Sequence, residues 1–330
     1  MPEYKSNPNL KFIRDNIQGN LYIDGQFVFD TKIEKIPYQN LVKWMFNGNP
    51  QRDKKKQDKY APNVIINNEI TKGEEDKIVW LGHSTFYIQI NNVRIITDPV
   101  FFNLAPIRMH RRHALPCNIA DLQNIDYILL SHGHRDHLDI PSLKNILKYN
   151  KDVEVLCPLG FYDMLSNIGF KKIQEAAWWQ KYITEKIEID FLPAKHWNRR
   201  NVFDFNTTLW GSFAICSNTK KIYFAGDTAY AHHFKTIKEQ YKYFDVALMP
   251  IGAYKPKYIM EWAHMSPQEA VHASNELNVK NFIPMHYGTY DLSDEPASEP
   301  IKITAQQKND NILSADLKIL DVGETYILSN

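Results

Sequence analysis

The sequence predicts an α/β or α+β sandwich whose functional site lies along one rim of a sheet. Three observations carry this. Short apolar stretches separated by turn residues recur from Lys77 onward, which is the pattern of strands. Capped helical segments come between some of them, and strands mixed with helices build layered sandwiches. Several strands also run directly into a histidine or an aspartate. Side chains at strand ends can converge on one rim of a sheet, where α/β proteins commonly form their sites.

Residues 1–75 read as an N-terminal extension that packs on the core or meets lipid, ahead of a main domain over residues 76–330. Within the extension, the run Arg52-Asp53-Lys54-Lys55-Lys56-Gln57-Asp58-Lys59 reads as a solvated linker, with a membrane-surface patch as the alternative. Leu41, Val42, Trp44, Met45 and Phe46 are spaced for a short amphipathic helix, expected to dock on the core rather than on lipid.

In the main domain, Phe86, Ile88 and Ile90 alternate with Tyr87 and Gln89, and Asn91-Asn92 supply a turn before Val93. Residues 86–97 therefore predict a β-hairpin. Further strands are expected at 127–130, 153–156, 187–192, 209–215, 222–225, 246–249 and 282–285. Ser266-Pro267-Gln268-Glu269 is a capping box with proline at the first helical position, and it announces a helix through Ala270, Val271 and Leu277. A second helix is expected after Asp139, with Pro141 in its first turn and Leu143, Ile146 and Leu147 facing inward.

With 330 residues, 44% of them hydrophobic, the chain can bury a sizeable core. Its 39 basic and 38 acidic residues leave a net charge of +1, so no global field favours nucleic acid as a partner. The polar start and the absence of any apolar run of about 18 residues point to a cytoplasmic protein, at most peripheral on the inner face of the membrane. Cys117, Cys157 and Cys216 form no CxxC pair and are expected as buried small hydrophobes.

The chemistry centres on Ser131-His132-Gly133-His134-Arg135-Asp136-His137. His132 and His134 are two apart and can point the same way, while Asp136 and His137 follow in a tight loop that can address a second ion. Neutral imidazole and carboxylate suit zinc, and also iron or manganese. The strands ahead of His196, Asp227 and His286 bring further potential ligands to the same rim.

The run 131–137 resembles the signature of the metallo-β-lactamase superfamily. That resemblance implies an αββα sandwich of two mixed β-sheets flanked by helices, and two metal sites. His132, His134 and His196 match the first site; Asp136, His137 and His286 match the second; Asp227, in Gly226-Asp227-Thr228, matches the bridging aspartate. Further blocks are similar to the N-acylphosphatidylethanolamine-hydrolysing phospholipase D family: Trp80-Leu81-Gly82-His83-Ser84-Thr85, Thr97-Asp98-Pro99, Pro158-Leu159-Gly160, Leu209-Trp210-Gly211-Ser212, Phe224-Ala225-Gly226-Asp227-Thr228 and Pro250-Ile251-Gly252-Ala253-Tyr254. In that family the N-terminal region helps meet the membrane, and residues before about 75 carry no clear match.

The resemblance implies a zinc-dependent phosphodiester hydrolase of phospholipase D type. Attack by a metal-bridging hydroxide would release an N-acylethanolamine from N-acylphosphatidylethanolamine and leave phosphatidic acid. Asp227 would set the metal spacing, Asp136 would orient the nucleophile, and His264 matches a family histidine near the substrate. His83 and Asp98 read as supports or packing residues, and His232, His233 and His272 carry no assigned role. Tyr254, Tyr258, Trp262 and Tyr287 can wall an acyl-chain cleft. Arg111 and Arg112, in the basic loop from Arg108 to His113, can meet an anionic head group, although a solvated loop is the expectation. The alternatives are a hydrolase of a small soluble substrate, such as a sugar-phosphate lactone, a cyclic phosphodiester or a β-lactam, a di-iron redox protein, or a metal-binding module without turnover. A homodimer is the default assembly.

Overall fold

The computed structural model describes residues 3–30, 36–105 and 109–328. Two mixed sheets face each other. The seven-stranded sheet runs Lys172–Ala176, Glu154–Pro158, Tyr127–Leu129, Val93–Thr97, Thr85–Ile90, Lys77–Gly82 and Thr325–Ile327. The eight-stranded sheet runs Asp316–Leu317, Val279–Met285, Phe244–Pro250, Lys221–Phe224, Ser212–Cys216, Glu188–Leu192, Gln180–Lys181 and Lys11–Phe12. Each combines a parallel half with an antiparallel half.

The period-two alternation of a strand explains why the first sheet is buried on both faces. Ile78, Trp80, Phe86 and Ile88 join the core shared with Phe213, Ile222 and Phe224 of the second sheet. Val79, Leu81 and Tyr87 point the other way, onto Leu143, Ile146 and Leu165 of two helices. Helices His233–Tyr241 and Pro267–Leu277 contribute Phe234, Ile237, Val271 and Leu277 to the core on the side of the second sheet.

The predicted hairpin forms through a two-residue turn, with Ile90 opposite Val93 and with φ of +50° and +60° at Asn91 and Asn92. Asparagine tolerates that left-handed backbone, which matches the strand twist. Both helix starts are as expected: Ser266 accepts from Glu269 N while Glu269 accepts from Ser266 N, and Asp139 accepts from Ser142 N at 3.0 Å. The strand expected at 209–215 is shorter, Ser212–Cys216. Leu209 and Gly211 instead donate across to Leu159 O and Ser131 O, so this stretch ties the loop ends of the two sheets together.

Two segments of the N-terminal region depart from expectation. The charged run is no linker: Arg52–Gln57 is a short helix, Lys55 pairs with Asp291 at 2.6 Å, and Asp58 accepts from Ser298 N at 2.8 Å. Leu10 and Phe27 enter the core, and Lys11–Phe12 adds an edge strand. The amphipathic helix forms at Tyr38–Asn47, yet it buries none of its residues. Asn40 donates to Tyr258 O at 2.8 Å, while Tyr38 and Phe46 are 78% and 84% exposed. No helix among the described residues is long and apolar enough to cross a membrane. Of the three free cysteines, only Cys157 is buried; Cys117 and Cys216 are half-buried.

Candidate metal centre

The site is assembled on loops that leave the strands at one end of the sandwich. After Val93–Thr97 comes Asp98, whose carboxylate accepts from Ser131 N at 2.7 Å and from Ser131 Oγ at 2.5 Å. That anchors the start of the signature loop. Its far side is a tight turn, with Leu138 N donating to His134 O at 2.8 Å. Asp227 follows Lys221–Phe224 through Gly226, which has φ of +57°. A Cβ on Gly226 would fall 2.8 Å from Ser131 Cβ and 2.9 Å from Gly211 O, so only glycine lets Asp227 reach the signature loop. His286 follows Val279–Met285, and its N–H donates to His83 O at 3.2 Å.

All seven predicted ligands come together. The first group is His132, His134, His196 and Asp227; Asp136, His137 and His286 form the second, joined by His83. Asp227 Oδ2 faces both. It lies 3.8 and 3.9 Å from His132 Nε2 and His196 Nε2, and 3.1 Å from both His137 Nε2 and His286 Nε2.

Hydrogen bonds on the outer side assign the tautomers. Ser131 Oγ gives its proton to Asp98, so at 2.9 Å it accepts from His132 Nδ1. His137 Nδ1 donates to Asp98 at 2.7 Å, and His196 Nδ1 donates to Ala263 O at 2.9 Å. The rings of His132 and His196 then turn a bare Nε2 inward. His134 Nδ1 sits 2.9 Å from one such lone pair, on His132, and 3.1 Å from another, on His196. A single proton there can serve only one of them. Three converging imidazole nitrogens beside a carboxylate are the donor set of a divalent cation. Buried His134 Nε2, His137 Nε2, His286 Nε2 and Asp227 Oδ1 also make no hydrogen bond, so the residues fit metal.

The electrostatics divide between the groups: the histidines of the first are held neutral, whereas in the second burial would depress His137 but Asp227 and Asp136 hold it well above the ordinary histidine value. Burial, then neighbouring imidazoles, hold His132 well below the ordinary histidine value; burial and then His134 do the same for His196, keeping both neutral as ligands must be. Burial takes His134 down to about 4. Asp136 and Asp227 remain well below the usual carboxylate range: burial alone would raise them, but His137 and His286 together, with His83 beside Asp136, outweigh it. Burial would likewise depress His286, but Asp227 and Asp136 lift it to about 9.

His264 lies beside the centre, its Nδ1 3.9 Å from Asp227 Oδ2 and without a hydrogen bond. Burial lowers it to about 4. His83 and Asp98 stand where supports belong, His83 Nε2 being 3.1 Å from Asp136 Oδ2. The described arginines of the basic loop, Arg111 and Arg112, are half-buried. Arg111 donates to Val100 O at 2.8 Å and to Leu81 O, and Arg112 pairs with Asp291 at 3.6 Å. Their guanidinium groups are thus engaged by the protein; Arg108 lies outside the described residues.

The four expected cleft aromatics part company. Trp262 borders a cleft beside His196, and Tyr254 borders a separate hollow with His264 while donating to Glu299. Tyr287 stacks on Trp80 with ring centroids 5.2 Å apart, and Tyr258 gives its carbonyl to Asn40. Sequence reasoning missed three residues directly after His196. Trp197 packs edge-on against His134 at 4.4 Å. Asn198 Oδ1 accepts from Gly133 N at 2.8 Å, and Arg200 donates to Gly133 O at 2.7 Å. Their position immediately after a ligand was the available signal.

The β-lactamase superfamily domain model matches residues 93–287, and the chain belongs to that superfamily as a metal-dependent hydrolase of metallo-β-lactamase type. Among its relatives, an N-acyl-phosphatidylethanolamine-hydrolyzing phospholipase D of Caenorhabditis elegans is 34% identical over 64% of this chain and 64% of its own length. The mitochondrial enzyme of that name from Saccharomyces cerevisiae is 34% identical over 73% of this chain, and the match spans only 53% of the yeast protein. A metallo hydrolase structure from Ignicoccus hospitalis shares the fold, with a TM-score of 0.60 and 22% identity across 77% of this chain and 99% of its own.

Proposed function

We propose that the protein is a phosphodiester hydrolase of phospholipase D type, cleaving N-acylphosphatidylethanolamine to an N-acylethanolamine and phosphatidic acid. The observation that carries the reading is Asp227 Oδ2 facing two ligand groups at once. Paired-cation sites serve in-line displacement at phosphorus, and the two relatives described above bear that activity in their names. Zinc is the proposed metal, with iron or manganese as substitutes on the same donors. When bound, the ions lower the pKa of water and neutralise charge on phosphoryl oxygens.

The chain's own residues do the rest. Asp227 fixes the spacing of the two groups. Asp136, held by His83, orients the attacking water from the half-open side of the centre. His264, neutral through burial, donates a hydrogen bond to a phosphoryl or leaving-group oxygen. The substrate calls for peripheral contact with a membrane, proposed here on its cytoplasmic face.

The test is to count metals in the purified protein and compare N-acylphosphatidylethanolamine in mixed micelles with a soluble phosphodiester and a lactone. Release of N-acylethanolamine is expected. Rapid turnover of the soluble compounds with none of the lipid overturns the lipid reading and leaves the hydrolase standing.

A further inference from the structure

A cleft of about 460 Å³ opens directly beside the metal centre, within the range of volumes that takes a small ligand, about 300–1,000 Å³. Its inner end is His196, Trp197 and Trp262; outward it is walled by Phe205, Phe29 and Leu41. Trp197 is the partition. One neighbour is His134, at 4.4 Å between ring centroids, and Phe205 stacks on it at 5.7 Å. An occupant of this cleft therefore ends against the ligands themselves.

Two polar atoms in the lining residues lack partners. Trp262 Nε1, a donor, and Gln26 Oε1, an acceptor, are shielded from solvent and make no hydrogen bond. A buried polar group left unpaired costs about 1–3 kcal/mol, so both call for a partner. An ester or a phosphate oxygen can answer only the donor. An amide carries both a carbonyl and an N–H, the two kinds of group these atoms lack.

We infer that this cleft binds the N-acyl arm of the substrate, its alkyl chain against Trp197, Phe205, Phe29 and Leu41 and its amide between Gln26 and Trp262. The inference rests on the phospholipase D reading of the adjacent centre. The mouth suits entry from a lipid surface. Phe203, on the loop that carries Trp197 and Phe205, is 94% exposed, and Leu41 belongs to the helix that buries none of its residues.

Binding can be read without turnover. A spin-labelled N-acylethanolamine seated here quenches the fluorescence of Trp197 and Trp262, and unlabelled N-acylethanolamines compete more strongly with each added methylene, by up to about fourfold. The matching hydroxyethyl ester, lacking the N–H, competes about three- to tenfold less well. Gln26→Leu removes that amide–ester difference, and the exposed-site variant Leu41→Asp weakens amide and ester alike; circular dichroism verifies both folds. Equal competition by amide and ester in the unaltered protein, or undiminished quenching in Leu41→Asp, overturns the assignment. The two readings fail separately. Lipid turnover without quenching removes the cleft assignment alone, and quenching without lipid turnover removes the phospholipase reading alone.

Discussion

His137 Nδ1 donates to Asp98 Oδ2 at 2.7 Å, with neither side chain exposed. Asp98 simultaneously holds Ser131, which holds His132. One carboxylate behind the site thus fixes the tautomers of a ligand in each group.

Asp98→Asn consequently weakens both positions while leaving every direct ligand in place. Loss of such an outer partner typically costs 10- to 100-fold in metal affinity, as a rough measure. Competition titrations with a chelator should record a drop of that size with unchanged circular dichroism.

Asp227→Asn should behave differently from loss of a one-sided ligand. Because Asp227 Oδ2 faces both groups, elemental analysis of the variant should find both metals depleted together, along with activity. His134→Ala should deplete the first position more than the second. Full activity in the Asp227 variant would refute the bridge.

His264→Ala should retain both metals and lose rate, by about 10²–10⁴-fold if it assists proton or charge movement at the ester oxygen. The effect should fall on kcat rather than on metal content. A variant that loses metal instead would make His264 a ligand, grouped with Asp227 and His286.

Away from the site, Asp190 is buried and its pKa is raised to about 6, by burial, against the lowering effect of the Tyr241 hydroxyl 2.7 Å away. A folded-state value above the unfolded one favours the protonated form. The penalty is absent below about pH 4, accumulates between about 4 and 6, and is complete above 6, where it amounts to about 3 kcal/mol. Thermal melts of Asp190→Asn should therefore gain on the parent as pH rises through this window and level off above it.

Much of the site could be read in the chain because each ligand follows a strand whose apolar pattern is plain. Ile222 to Phe224 ahead of Asp227 and Phe282 to Met285 ahead of His286 are buried strands that can end in only one place, the rim. The hairpin at Asn91-Asn92 and the helix at Ser266 were equally legible, since turn and cap chemistry is local. The Tyr38–Asn47 helix was legible as a helix but not in what it covers, because amphipathicity names a face and not its partner. The charges of Lys55 and Arg112 misled for a related reason. Both meet Asp291, which lies far along the chain and carries no pattern of its own.

Val28, Phe29 and Leu41, which wall the cleft, all precede the stretch of chain that carries the ligands. Part of the wall of the cleft thus lies in a passage of sequence separate from the ion-holding loops. Substitutions at Val28, Phe29 and Leu41 therefore reach the cleft without replacing any of the seven ligands.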